Sequence, residues 1–351
     1  MAGPTVQAEA RAGPTPKPPE ASPNPPGNPL RNSSKGHSML RHAGKRLLAA
    51  IPLLLVVPLL VFLLIDLAPG DPAVVLAGED PTPDRIAAIR GELGLSDPVV
   101  ERYLRWVGAV LHGDLGQSLM SDQSVTDMIV RRMGTTMSLV LFAMVMAVVL
   151  GTLMAILASL RPGGVVDRLV NWLASVAIAI PAFWFGLVLA SLFAVTFQVF
   201  PAFGFVPLSE GLWPWMSHLV LPGIALGLLP AAEVTLQLRS ALGQELKSDY
   251  ILNAQAKGLS RSAVLFKHAL KNACVPVVTV LGFRVAEVLA GSVTIEIIYN
   301  MPGLGSLAVD SVLSRDIPVL LGFVLFSTSV VVVVNLLVDI SYGYFNPKVR
   351  A

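Results

Sequence analysis

DYILNAQAKGLSRSAVLFKHALKNACVP, residues 249–276, is polar, basic and helical in its spacing, yet it lies between two long apolar runs. Tyr250, Ile251 and Ala254 form a short apolar ridge. Gly258 then breaks the pattern, and Ser260 can cap a second helix. That helix carries Val264, Leu265 and Leu270 on one side, with Arg261, Lys267 and Lys271 elsewhere. A linker between two membrane helices would not need this much amphipathic structure. Two readings stand: a helix–glycine–helix knuckle presented to a partner, or an interfacial helix held by anionic lipid.

Working outward, six apolar stretches are long enough to cross a bilayer, which takes roughly 20 helical residues. They lie near 47–67, 136–160, 169–197, 219–238, 273–299 and 318–342. Pro52, Pro58, Pro181, Pro222 and Pro230 fall in or at the ends of them, which packed membrane bundles tolerate. Composition agrees: 54% hydrophobic and 14% charged residues, against roughly a quarter charged in soluble domains. A net charge of +2 argues against nucleic acid as a partner. The single cysteine, Cys274, excludes an internal disulfide and a cysteine-based zinc cluster, and is expected to pack as a small apolar residue. There is no HExxH, no CxxC and no GxxxxGK[ST] phosphate loop. An all-α polytopic membrane protein with six transmembrane helices is expected, binding no cofactor or metal of its own.

Lys and Arg in the loops orient it. Arg41, Lys45 and Arg46 precede the first span, Arg161 and Arg168 follow the second, and Lys348 and Arg350 end the chain. The loop 239–271 carries Arg239, Lys247, Lys257, Arg261, Lys267 and Lys271, whereas 198–218 has no Lys or Arg. Both termini and the knuckle should be cytoplasmic. The expected organisation is a disordered proline-rich cytoplasmic tail (1–38), a first span (39–67), an external segment (68–133), a core (134–342) containing the cytoplasmic segment 247–272, and a short cytoplasmic tail (343–351). In the external segment, Asp97-Pro98 is a plausible cap and first position for a helix bearing Val100, Tyr103, Leu104, Val107 and Val110. An earlier short helix should start at Pro83 and carry Ile86, Ile89 and Leu93. Both should pack flat on the outer face.

Ionisable residues inside the spans come next. Arg284, Glu287 and Glu296 lie in the fifth, Glu233 in the fourth, and Asp66 and Asp339 near span ends. Each would cost roughly 2.5–3.5 kcal/mol at a lipid-facing helix centre, so each should face protein or water. Arg284 and Glu287 share a helix face and can pair. They either line a solute pathway or form a structural ion pair. Phe183, Trp184 and Phe185 read as helix anchors, Trp213 and Trp215 as markers of the outer interface. MPGLG at 301–305 reads as a tight outer turn.

DYILNAQAKGLS with KHALKNACVPVVT resembles the coupling-helix region of ABC importer permeases, most closely the B-type inner-membrane subunit of the dipeptide, oligopeptide and nickel importers. LAPGDPA (67–73), YLRW (103–106), GDLGQS (113–118), HLVLPGIALGL (218–228), MPGLG (301–305), RDIPV (315–319) and NLLVDISYGYFNPKVR (335–350) resemble further segments of that family in the same order. The resemblance spans about residues 40–351. It departs at Leu252 and Asn253, where the peptide permeases usually have Arg and Thr, and at Asn346, usually an acid. The resemblance implies the type I ABC transporter fold and a heterodimer with a similar C-type permease. It also implies two cytoplasmic P-loop ATPases (or one two-domain ATPase) that bind ATP and Mg, and an external solute-binding protein in a bacterial inner membrane. It implies ATPase coupling through Tyr250, Ala254, Ala256, Lys257, Gly258 and Leu259, with Arg284 and Glu287 as candidate pathway residues. Short peptides are the implied cargo; similar permeases carry nickel chelates, glutathione or other small solutes. The competing class is an ion-coupled secondary transporter using Glu233, Glu287 and Glu296, though no internal repeat supports it.

Overall fold

In lipid the backbone must satisfy its own hydrogen bonds, so long apolar runs become helices. The computed structural model describes residue 3 and residues 34–345, apart from 68–70, 79–81 and 93. Among these the elements in order are α1 (Ser34–Leu67), α2 (Pro72–Ala77), α3 (Pro83–Glu92), α4 (Val99–Leu111), α5 (Val125–Leu160), α6 (Val165–Ala179) and α7 (Ala182–Leu189), which runs into a π-helical segment, Ala190–Thr196. There follow α8 (Leu212–Glu245), α9 (Asp249–Ala256) and α10 (Arg261–Ala263), the last continuing through a π-helical stretch, Val264–Ala269, into α11 (Leu270–Ile298). The described residues close with α12 (Leu304–Ser314) and α13 (Ile317–Phe345).

Among the described residues four helices are long and apolar enough to cross a membrane: α5, α8, α11 over Pro276–Ile298 and α13 over Ile317–Val338. The shorter apolar stretch Leu48–Leu64 lies in α1. The third expected span is not one rod. It is the pair α6 and α7, bent by 104°. The break itself is local: Ile180, preceding Pro181, takes extended angles (φ −86°, ψ 122°), because a proline ring clashes with a helical residue before it. Most of the expected tail, 4–33, lies outside the described residues, and α1 begins at Ser34, inside the range assigned to that tail.

The centre of the fold is the α5–α8 crossing. Ala143, Ala147, Gly151 and Ala155 recur every fourth residue on α5, and Gly223, Gly227 and Ala231 do so on α8. A Cβ at Gly227 would lie 2.7 Å from the Ala143 carbonyl oxygen, and one at Gly151 2.7 Å from that of Ala231. Small residues let the two backbones approach, and van der Waals contact then replaces the hydrophobic drive that lipid cannot provide. Leu139, Leu219, Ala225, Ile295 and Tyr299 are buried beside this crossing.

Helix α4 lies against α1 and the start of α13, burying Phe62, Tyr103, Ile317 and Leu321 together. The Tyr103 hydroxyl donates to the Leu55 carbonyl at 2.6 Å, and Arg102 pairs with Asp66 at 2.8 Å. Helix α4 begins at Val99 with Pro98 as its N-cap, one residue later than the spacing predicts, and Asp97 pairs with Arg105 instead of capping. Ile86 and Ile89 lie on α3; Leu93 lies outside the described residues. The segments 113–118 and 315–319 meet: buried Asp316 accepts from the Ser118 hydroxyl and from the Leu119 amide at 3.1 Å.

MPGLG is more than a turn. Glu296, fully buried in α11, accepts from the Thr136 hydroxyl at 2.7 Å and from the Ser306 amide at 3.0 Å. Thr136 in turn accepts from the Leu304 amide at 2.8 Å. The carboxylate thus satisfies free amides at the start of α12, where the helix dipole favours negative charge. A Cβ at Gly305 would lie 2.9 Å from Glu296 Oε2, and one at Gly303 would collide with the carboxyl group, so the two glycines make its seat. One buried acid thereby joins α5, α11 and α12.

Candidate functional site

The sequence 249–276 folds as a knuckle. Helix α9 ends at Ala256, Gly258 takes φ +82°, and the next helix starts at Arg261. An L-residue avoids that left-handed region and glycine does not, which explains the break at this position. The Ser260 hydroxyl accepts from the Ala263 amide at 3.3 Å, a capping bond.

The inner side of the knuckle is anchored. Ile251, Val264, Leu265, Ala269 and Ala273 are buried in one cluster with Leu238 and Leu242 of α8 and Ala155 of α5. Ala254, Leu259 and Cys274 pack against it partly buried. Tyr250 bridges three elements: its hydroxyl donates to Glu245 at the end of α8 and accepts from Asn272 of α11 at 3.0 Å. Burial, and then the Glu245 carboxylate, push that hydroxyl above its usual titration range.

The outer side is open. Leu252, Asn253, Gln255, Ala256, Lys257 and Gly258 are exposed along α9 and the tip, as is Phe266 on the second helix. Of the residues the resemblance implied for coupling, Ala256, Lys257 and Gly258 therefore form the tip, Ala254 and Leu259 hold it from within, and Tyr250 ties its base. Sequence reading missed two features here. Leu252 and Phe266, 54% and 56% exposed, add apolar surface to the tip. Val264–Ala269 is π-helical, a looser winding that recurs at functional sites.

Beside the knuckle, Asp167 at the start of α6 is held by Arg239 of α8 through two hydrogen bonds. It also accepts from the Gly163 amide at 2.7 Å. This pair fixes the α5–α6 turn to the helix that carries the knuckle; its partners stand 72 residues apart in the chain.

Deeper in the bundle, Arg284 donates to Glu287 one turn along α11, as the spacing predicts. It donates equally to Glu233 of α8, a partner the sequence did not reveal. One of these bonds crosses between helices, while Glu287 stays 59% exposed at the edge of an open cavity of about 350 Å³. Glu296, grouped with these acids by the sequence, is tied into the start of α12 and lies apart from that cavity. Among the described residues no cluster of His, Cys, Asp and Glu could hold a metal ion.

The family described as binding-protein-dependent transport system inner membrane component matches residues 147–351, and the N-terminal membrane component of the same systems matches residues 39–140. A probable peptide ABC transporter permease protein of Sinorhizobium fredii is 36% identical over 306 residues, covering 87% of this chain and 98% of that protein. The dipeptide transport system permease protein DppB of Escherichia coli is 36% identical over 336 residues, covering 89% and 99%.

Proposed function

This chain belongs to the family of binding-protein-dependent transport system inner membrane components, and from that premise we propose the cargo, the partners and the coupling route. It is a multi-pass inner-membrane permease subunit with the type I ABC fold, and a transport subunit rather than an enzyme. The cargo is short peptides, the substrate class named for the relatives. The chain forms half of the pathway, a similar C-type permease forms the other half, and an external solute-binding protein delivers the peptide. Both termini are cytoplasmic, as the Lys and Arg distribution indicates. Cytoplasmic P-loop ATPases bind ATP and Mg, for which this chain has no phosphate loop.

The single observation that carries the coupling route is the knuckle around Gly258, open on its outer side and fixed on its inner side to α5, α8 and α11. An ATPase closing on Ala256, Lys257 and Gly258 would displace a lever that cannot slip, because Ile251, Val264 and Leu265 are fully packed beneath it. Packed cores shift between discrete arrangements rather than deform smoothly, so the motion passes to the helices that carry Glu233, Arg284 and Glu287. Arg284 and Glu287 then line the pathway as it opens by turns to either side.

The test is gentle extraction of the tagged chain from its own membrane, identification of what co-purifies, and reconstitution of the complex. The expected result is a second permease and P-loop ATPases, with peptide uptake that requires ATP and the binding protein. A chain that purifies alone and drives uptake from a proton gradient without ATP would overturn the proposal.

A further inference from the structure

Glu233, Arg284 and Glu287 stand together where α8 faces α11, and they do not neutralise each other. One guanidinium is shared between two carboxylates, so the group carries a formal charge of −1. Arg284 is occupied by both glutamates, and Glu233 Oε2 is buried without a hydrogen-bond donor. The rest of the cavity wall supplies one further polar side chain, Gln237, amid Leu236, Val280 and Phe283. A buried carboxylate oxygen without a donor is costly, and its charge adds to that of Glu287, whose carboxylate is the one exposed to the cavity. A water-filled cleft with a net negative wall also concentrates cations.

We propose that this cavity is a cation-selective station in the pathway, at which Glu287 receives the ammonium or guanidinium group of a peptide and Glu233 adds its negative charge. Glu233 is then a specificity-determining residue: it sets the sign of the site by leaving Arg284 too few charges to balance two acids. Arg284 is a positioning residue, holding both carboxylates at the cavity edge. Peptides with a basic side chain pass more readily than acidic peptides of equal size. This inference rests on the permease reading above.

The experiment uses the complete importer in proteoliposomes, with its own binding protein and ATP. Initial uptake of Lys-Ala and Glu-Ala is compared, after each peptide's affinity for the binding protein has been measured separately. The readout is the Lys-Ala to Glu-Ala uptake ratio, corrected for those affinities, in wild type, Glu233→Gln and Glu287→Gln. Either variant takes the site from −1 to neutral. One unit charge about 4 Å away in a watery cleft is worth about fivefold, lost as attraction by Lys-Ala and as repulsion by Glu-Ala, so the ratio should fall roughly 25-fold. Among the described residues Glu287 bonds to Arg284 of its own helix and to no other helix, so Glu287→Gln keeps the test informative if Glu233→Gln fails to assemble. An unchanged ratio in an assembled, ATP-driven variant would overturn the cation station while leaving the permease reading intact. Absence of ATP-driven uptake of either peptide by wild type would overturn the permease reading itself.

Discussion

Replacing Gly258 isolates a backbone effect at the knuckle. Its φ is +82°, and a Cβ built there meets no heavy atom within 4 Å. A side chain at this position neither loses nor gains packing, so its cost is the left-handed conformation alone. For an ordinary L-residue that cost is about 1–2 kcal/mol. Asn tolerates the region better, and a β-branched residue tolerates it worse. A bias of 1–2 kcal/mol is a factor of about 5–30 in population. Peptide imported per ATP hydrolysed, measured in proteoliposomes, should therefore follow Gly > Asn > Ala > Val, with Gly258→Val reduced at least fivefold to thirtyfold, on the order of that population shift. Strain of that size should lower the melting temperature of so large a complex by no more than a few degrees. Gly134→Ala is the control: it lies in the interior of α5, its Cβ also meets nothing within 4 Å, and its φ is not positive. That substitution should be neutral or slightly stabilising. Wild-type coupling in Gly258→Val would refute the strained-turn reasoning. So would equal loss in the Asn, Ala and Val variants, because that outcome points to side-chain bulk at a contact and not to backbone conformation.

Gly227→Leu forces the α5–α8 crossing apart, since even a Cβ would sit 2.7 Å from the Ala143 carbonyl oxygen. A loss of at least about 1–3 kcal/mol is expected, read as a lower melting temperature in detergent. Glu296→Ala leaves the Ser306 amide without its acceptor in a buried site, which should destabilise the fold by about 1–3 kcal/mol and lower the yield of assembled protein. The pH dependence of the α2–α3 contact follows from Asp71, whose carboxyl the Arg90 guanidinium holds below the usual carboxylate range. A depressed folded pKa means the stabilisation is present above the unfolded value and lost as pH falls through the folded one. Amide protection in α2 and α3 should thus be flat from neutral pH down to about pH 5 and drop below about pH 4, as hydrogen exchange would show.

The knuckle could be read from the sequence because its information is local. A glycine between two helical patterns, a serine three residues before Ala263 and apolar residues at helical spacing each act within a turn or two of themselves. Pro181 was visible as a break, but the 104° between α6 and α7 depends on what each half packs against. The same division runs through the charged groups. Arg284 and Glu287 are one helical turn apart, so their pairing follows from helix geometry.

Glu233 lies 51 residues from Arg284, and only the placement of α8 beside α11 brings them together. MPGLG likewise looked like a turn, because the carboxylate that needs its glycines enters from α11 and finds its other partner, Thr136, 160 residues earlier. By itself the sequence determined where helices must form, since lipid leaves the backbone no other way to satisfy its hydrogen bonds, and where a left-handed turn must fall. Tertiary structure decided which small residues meet at the α5–α8 crossing, which acid seats the start of α12, and that the Glu233–Arg284–Glu287 group is left with a negative charge. Those outcomes depend on distances between segments remote in the chain, which helix packing sets and local spacing does not.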